Sequence, residues 1–232
     1  MTVQPTQLDV ATYELSDASR YLQVPASTLR WWLDGGPRAG RVYPPVIREA
    51  VTGSSTLTWG EFVEAWYIRQ YRRVHQIDLS DLRRLIVGLR EELGLHYPLA
   101  HEKPFVGVGR QLVKRLQDSV GLPQDLWVVV AGHKDQLVLT PTMTEFIEKV
   151  EFGHEGDQPA IAIRPRGKGS LVVIQPDRAF GSPSIRGIRT DALAELVDAG
   201  EKLEDVAGDF GLSTAELREA LSYEWELEPA AA

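Results

Sequence analysis

Cysteine is absent from all 232 residues, which excludes disulfides, thiolate metal sites and cysteine nucleophiles. No apolar run approaches the ~18 residues that mark a membrane-crossing helix. Met1–Val10 is polar and has no signal-peptide pattern, so a soluble, cytoplasmic chain without membrane association is expected. Histidine is sparse and scattered, at 75, 96, 101, 133 and 154. His96 and His101 flank a proline and lack helical ligand spacing, so no metal site is expected. Catalytic signatures are missing as well. Gly107-Val-Gly109 lacks the third glycine of a dinucleotide fingerprint. Gly167-Lys-Gly-Ser170 lacks the first glycine of a phosphate loop and joins two strand patterns, as a basic hairpin tip does. No serine sits in a nucleophile elbow and no acid pair has a catalytic context. No enzyme activity, catalytic residue or cofactor is expected.

What is present is an ordinary globular composition, 43% hydrophobic and 25% charged, long enough for two domains or one large one. The net charge of −8 is unevenly placed. Residues 1–97 hold 11 Arg, no Lys and 11 acids; residues 98–180 hold 10 basic and 10 acidic groups. Residues 181–232 hold 4 basic and 12 acidic groups, so the whole excess lies there. An anionic segment repels phosphates, whereas a neutral, arginine-bearing one can bind them.

The neutral front end opens with two short helical patterns. Ser16 can cap a first helix whose apolar face is Ala18, Tyr21 and Leu22. Val24-Pro25-Ala26-Ser27 reads as a turn, and a second helix runs through Thr28, Leu29, Arg30, Trp31 and Trp32. Asp34-Gly35-Gly36-Pro37 ends it. Two short helices with a tight turn are the helix-turn-helix plan. Val24, Thr28, Leu29, Arg30, Trp31 and Trp32 resemble the MerR-type winged helix-turn-helix, with Pro25-Ala26 departing from its usual order. The resemblance extends over the first ninety-five residues. Arg38–Ile47 and Gly53–Thr58 read as a two-stranded wing, followed by helices Trp59–His75 and Leu79–Leu93. It implies DNA contact by Ser27, Thr28, Arg30, Trp31, Arg38 and Arg41, with Leu29 and Trp32 in the core. Phe62, Ala65 and Trp66 read as core positions too. Arg72-Arg73 reads as a charged helix end, with phosphate contact as the alternative.

Leu95–Pro104 has the composition of a linker. Beyond it come a strand Phe105–Val108, a helix Arg110–Val120 and a hairpin of Leu126–Ala131 with Leu137–Thr140. A helix then starts at Thr142, carrying Phe146, Ile147 and Val150. A second hairpin pairs Ala160–Arg164 with Leu171–Ile174.

The anionic back end carries three packets at helical spacing. Leu193, Leu196 and Val197 precede Gly200; Leu203, Val206, Ala207 and Phe210 precede Gly211; Ser213-Thr-Ala-Glu216 is a capping box before Leu217, Leu221 and Trp225. Upstream, Phe180, Gly181, Pro183, Ile185, Gly187 and Arg189 resemble the motif of a bacterial family of domains of unknown function, the one numbered four hundred and thirty-three. The resemblance implies the antitoxin half of a toxin–antitoxin pair, whose partner is a PIN-domain ribonuclease toxin. The middle segment likewise resembles the joining region of VapB-type antitoxins.

The expected fold is therefore α+β, with a winged helix-turn-helix at 1–95, an α+β dimerisation segment at 96–179 and a three-helix antitoxin domain at 180–232. The expected function is neutralisation of the toxin together with repression of the chain's own operon through operator DNA. A homodimer follows from symmetric operators. Candidate toxin contacts are Arg186, Arg189, Leu221, Tyr223 and Trp225, with Glu226–Glu228 behind them. Leu221 and Trp225 read equally well as a local core. Two other readings stay open. One is a MerR-like regulator taking a small ligand near Trp127, Phe146 or Phe152; the other is an interaction scaffold that never meets DNA.

Overall fold

Helix α1 (Leu15–Leu22) buries Leu15, Ala18, Tyr21 and Leu22, which recur on one helical face. It ends at Gln23, whose left-handed backbone (φ 49°) returns its N–H to the last turn. Pro25 cannot extend α1 but suits a helix start, and α2 (Ala26–Asp34) follows at once. Ser16 does not cap α1. Strand β1 (Ala11–Glu14) runs straight into the helix, Leu15 N donates to Ser55 O at 2.8 Å, and Glu14 becomes the N-cap. A computed structural model describes residues 6–75, 78–105, 109–121, 127–131, 137–153 and 158–227.

At the end of α2, Gly35 adopts φ 65°, and a Cβ there would lie 2.1 Å from the carbonyl oxygen of Tyr43. This close approach brings β3 (Arg41–Tyr43) beside α2, paired with β2 (Gly36–Arg38). Ala39 and Gly40, both at positive φ (49° and 75°), make the two-residue turn that suits a twisted hairpin. Of the two-stranded wing expected from the sequence, this hairpin is the part that forms. Strand β4 (Thr56–Thr58), expected to form its second part, pairs antiparallel with β1 instead, with Leu57 opposite Tyr13. Both of these residues are buried, so burial decided the pairing.

Helices α3 (Trp59–His75) and α4 (Leu79–Leu93) have the expected bounds. Thr58 and Glu61 form the capping box of α3: Glu61 N donates to Thr58 Oγ1 at 3.2 Å and Thr58 N to Glu61 Oε2 at 3.0 Å. Asp78 caps α4 by accepting from Ser80 N at 2.9 Å. The core gathers around α3, where Tyr13 stacks on Phe62 with 4.3 Å between ring centroids and Trp59 and Trp66 lie buried nearby in sequence.

Leu95–Pro104 is not a linker. Tyr97, Pro98, Leu99 and Ala100 are buried, and Leu99 N donates to the buried Glu64 at 3.3 Å. Its prolines shape backbone inside a core. Helix α5 (Gly109–Ser119), the antiparallel strands β5 (Val129–Ala131) and β6 (Leu137–Leu139), and helix α6 (Pro141–Lys149) follow. Lys103–Phe105 is a 3-10 turn, where a strand Phe105–Val108 was expected. Residues 106–108, Leu126, the hairpin tip 132–135, His133, His154 and Glu228 lie outside the described residues.

Contacts group the chain in two, where the sequence division placed three. One unit comprises 1–148 with 152–160, the other 149–151 with 161–232. Strands β7 (Val150–Phe152) and β8 (Ala160–Ile163) form a two-stranded sheet. In the second unit Ile163 bridges Ile174 and Val173 bridges Ser184, so the expected hairpin 160–174 is reduced to one bridge. Strands β9 (Ser184–Ile185) and β10 (Ile188–Arg189) pair across Arg186-Gly187, both at positive φ (53° and 83°). That turn explains the motif glycine. Helices α7 (Thr190–Asp198), α8 (Leu203–Asp209) and α9 (Thr214–Leu227) follow, with left-handed stops at Gly200 and Gly211. The capping box at Ser213 forms: its hydroxyl and N–H both donate to Glu216 Oε2, at 2.8 and 2.7 Å.

The α+β class is thus observed, and no described helix is long and apolar enough to cross a membrane.

Candidate nucleic-acid interface

The first turn of α2 has no side-chain cap, because its N-cap is Pro25. Its leading N–H groups have no partner within the helix and carry the positive end of the helix dipole. Beside that turn lies an open groove of about 560 Å³. Ser27, Thr28 and Trp31 line it from α2, Arg38 and Tyr43 from the hairpin, and Arg72 from α3. The Trp31 and Tyr43 rings meet at 5.6 Å, which fixes the hairpin against the helix. Asp78 also borders the groove, but its carboxylate is engaged in capping α4.

Four of the six residues named from the sequence therefore share one groove: Ser27, Thr28, Trp31 and Arg38. Arg30 and Arg41 do not line it but are exposed on the same helix and hairpin. Leu29 and Trp32 are buried, as expected of core positions. Arg72, for which phosphate contact was the alternative reading, lines the groove as well, and Tyr43 is the aromatic lining residue that the sequence reading did not name. Tyr43 carried a signal, since it lies two residues from Arg41 and so on the same hairpin face. The side chain of Arg73 lies outside the described residues.

The arginines of this unit divide sharply by environment. Arg48 is buried and donates to Asp34, Glu61, Thr52, Ser54 and Thr56. Arg83 donates to the carbonyls of Pro44 and Pro45 at 2.6 and 2.7 Å, and Arg90 to Glu64 at 2.9 Å. Arg69 reaches Gln23 at 2.7 Å. By contrast, the side chains of Arg30, Arg38 and Arg41 make no hydrogen bond or ion pair among the described residues. Three exposed, unengaged guanidinium groups on one helix and its wing can serve as donors to a polyanion.

The scaffold behind them is held by charge. Burial works against ionisation of Asp34, yet the Thr52 amide and the Arg48 guanidinium hold its carboxyl below the ordinary value. Burial likewise opposes the charge on Arg48, and Glu61 and Asp34 more than restore it. The Trp32 carbonyl accepts from Val46 and Ile47 at 2.9 and 3.0 Å, which locks the far end of α2 to the segment after the hairpin.

Elsewhere in this unit Phe146 is fully buried, its ring 5.3 Å from Tyr67 and 6.3 Å from Phe105, so it fills a core. Trp127 is half-buried beneath the Lys114 ammonium at 4.7 Å, and Phe152 is half-buried.

In the second unit the residues proposed for a protein partner separate into two groups. Leu221 and Tyr223 are only 2% and 3% exposed and belong to the unit's own core. They are not available as contacts while the unit is folded. Trp225 is 58% exposed, because the inward stripe of α9 passes from Leu217 through Ala220 and Leu221 to Glu224. Glu224 turns inward to accept the Thr190 hydroxyl, which also donates to the Pro183 carbonyl at 3.1 Å. Arg186 donates to the Gly211 carbonyl at 3.0 Å, and Arg189 pairs with Asp191; both arginines are exposed.

Residues 172–223 match a family model described as a protein of unknown function, DUF433. Over 223 residues the sequence is 30% identical to the uncharacterized protein Rv2308 of Mycobacterium tuberculosis, covering 94% of this chain and 92% of that one. Over 229 residues it is 27% identical to a protein of the same organism named "Putative antitoxin VapB45", covering 93% and 94%. The crystal structure of Rv2018 from M. tuberculosis aligns with a TM-score of 0.73 at 27% identity, across 93% of this chain and all of that one.

Proposed function

The chain belongs to the family of the M. tuberculosis protein Rv2308, and from that kinship and the groove at α2 we propose an antitoxin that represses its own operon. The antitoxin role is supported by the relative named as one, VapB45, and by the family match over residues 172–223, which include the Phe180–Arg189 stretch. DNA binding belongs to the first unit. The observation that carries it is the set of three unengaged arginines, Arg30, Arg38 and Arg41, flanking the uncapped start of α2. In a MerR-like docking α2 enters the major groove and the hairpin lies along the backbone. Two copies bind a symmetric operator, so the working species is a homodimer.

Toxin binding belongs to the second unit. Its 181–232 segment carries the whole net charge of −8, which complements the cationic RNA-binding surface of a PIN-domain ribonuclease. The same charge repels DNA, so the two tasks fall on different parts of the chain. Trp225, Arg186 and Arg189 are exposed candidate contacts, the arginines suited to the acidic metal pocket that such a toxin has by family resemblance.

Two measurements test the reading. The full chain should shift a DNA fragment from upstream of its own gene, with affinity falling steeply as salt rises. It should also abolish RNA cleavage by the PIN-domain ribonuclease that this reading expects beside its gene. Salt-insensitive or absent DNA binding removes the repressor half; undiminished cleavage removes the antitoxin half.

A further inference from the structure

Phe180 is 91% exposed, the most exposed large apolar side chain among the described residues. Its backbone is left-handed (φ 55°, ψ 33°), as is that of Ala179 before it (φ 49°). Neither residue is glycine, so both conformations are unfavourable in themselves. They are held from the flanks. Gly181 N donates to Arg178 O at 2.9 Å and Ser182 N to Ala179 O at 3.0 Å. Gly181, Pro183, Ser184 and Ile185 are buried immediately beyond. The aromatic ring is thus displayed from a fixed turn, at a cost in both strain and exposed apolar area that the isolated chain never recovers. Strain and exposure of this kind recur at ligand clamps and binding anchors.

We propose that Phe180 is the apolar anchor by which the second unit engages a basic protein partner. Resting on the antitoxin reading above, this assigns the toxin an apolar slot for the ring, bordered by cations. The choice of partner follows from charge. Residues 181–232 carry −8 and residues 161–180 of the same unit +3, a net of −5, so a second copy of the chain brings like charge, whereas a cationic protein is attracted. Aromatic side chains seated in pockets and ringed by charge dominate such interfaces.

The test uses the full chain and the purified PIN-domain ribonuclease that the antitoxin reading expects beside its gene, with dissociation constants measured by calorimetry. Phe180→Ala should weaken binding by about 30-fold or more, the loss expected of an interface anchor. Its melting temperature should stay within about 2 °C of wild type, since the ring packs against nothing internal. Phe180→Gly should melt no lower than Phe180→Ala, because glycine accepts the left-handed backbone. Equal binding by wild type and Phe180→Ala overturns this inference and leaves the antitoxin reading standing. No binding by wild type overturns both. A melting point lowered by more than about 4 °C in Phe180→Ala, with binding lost in parallel, makes Phe180 a packing residue and overturns the inference. So does a wild-type dimer that Phe180→Ala converts to monomer, which would make the second copy the occupant.

Discussion

The Arg48 guanidinium donates to both carboxylate oxygens of Asp34, at 3.0 and 3.1 Å, while its Nε meets Glu61 at 2.7 Å. Asp34 is the last residue of α2 and Glu61 lies in the first turn of α3, so one side chain ties two helix ends together. It also donates to the Thr56 carbonyl at 2.8 Å, which fixes the loop returning from the wing. Helix α2 owes its orientation to this buried node as much as to the apolar core beneath it.

Arg48→Met should therefore be far more damaging than loss of a surface pair. It leaves Asp34 and Glu61 buried without a cation, which costs about 3–5 kcal/mol by analogy with broken buried pairs. Urea unfolding monitored by tryptophan fluorescence would register it as a lower midpoint. The Asp34 carboxyl is held below its ordinary value, so its contribution is present above about pH 4 and is lost as pH falls through the lowered folded value. A midpoint unchanged in Arg48→Met refutes the structural role given to this node.

Glu64 gives the opposite dependence. Burial pushes its carboxyl up to about 7, while Arg90 and the Leu99 amide draw it partly back. The folded chain then holds a proton that the unfolded chain has released across roughly pH 4.5 to 7. Stability from this group is complete below the unfolded value and declines as pH rises through about 7, by at most about 3 kcal/mol. Glu64→Gln keeps an acceptor for Leu99 N and cannot ionise. The variant should flatten the decline between pH 5 and 8 in denaturant titrations, and an identical slope in both proteins contradicts the assignment.

The sequence was readable where local chemistry dictates geometry. The capping box at Ser213 placed the start of α9 within a residue, and helical spacing gave the bounds of α3 and α4. Leu29 and Trp32 fell in the core because helical spacing leaves them no other face. What failed depended on distant partners. Strand β4 joined β1 and not the wing, because Leu57 and Tyr13 bury each other across more than forty residues. Leu95–Pro104 looked like a linker since composition carries no record of the Glu64 carboxylate waiting for Leu99. The division of the arginines was invisible for the same reason: Arg30 and Arg48 are one letter in sequence, and only the carboxylates folded around Arg48 separate them.

Leu221 and Trp225 sit four residues apart on α9 and should respond differently to the same substitution. Leu221→Ala opens a cavity in the second unit and should cost about 2–5 kcal/mol. Trp225→Ala removes a side chain that is 58% exposed and should change stability by no more than about 0.5 kcal/mol. Toxin affinity should fall in Trp225→Ala without any loss of stability. Calorimetric melts paired with binding isotherms check this, and a strongly destabilised Trp225→Ala would place that ring in the core.

Arginines proposed to meet DNA and arginines that hold the fold should respond differently to removal. Arg30→Ala, Arg38→Ala and Arg41→Ala each remove a guanidinium with no hydrogen bond or ion pair among the described residues, so their melting points should match wild type. An arginine that neutralises a phosphate displaces about one counterion, so the slope of log K against log salt should shrink by about one per substitution. Arg83→Ala is the control. Its guanidinium holds the Pro44 and Pro45 carbonyls, so it should lower stability while leaving the salt slope nearly intact. Fluorescence anisotropy on a labelled operator across a salt series yields both the slope and the affinity. If Arg83→Ala flattens the slope while the three exposed variants leave it unchanged, the interface lies elsewhere on the chain.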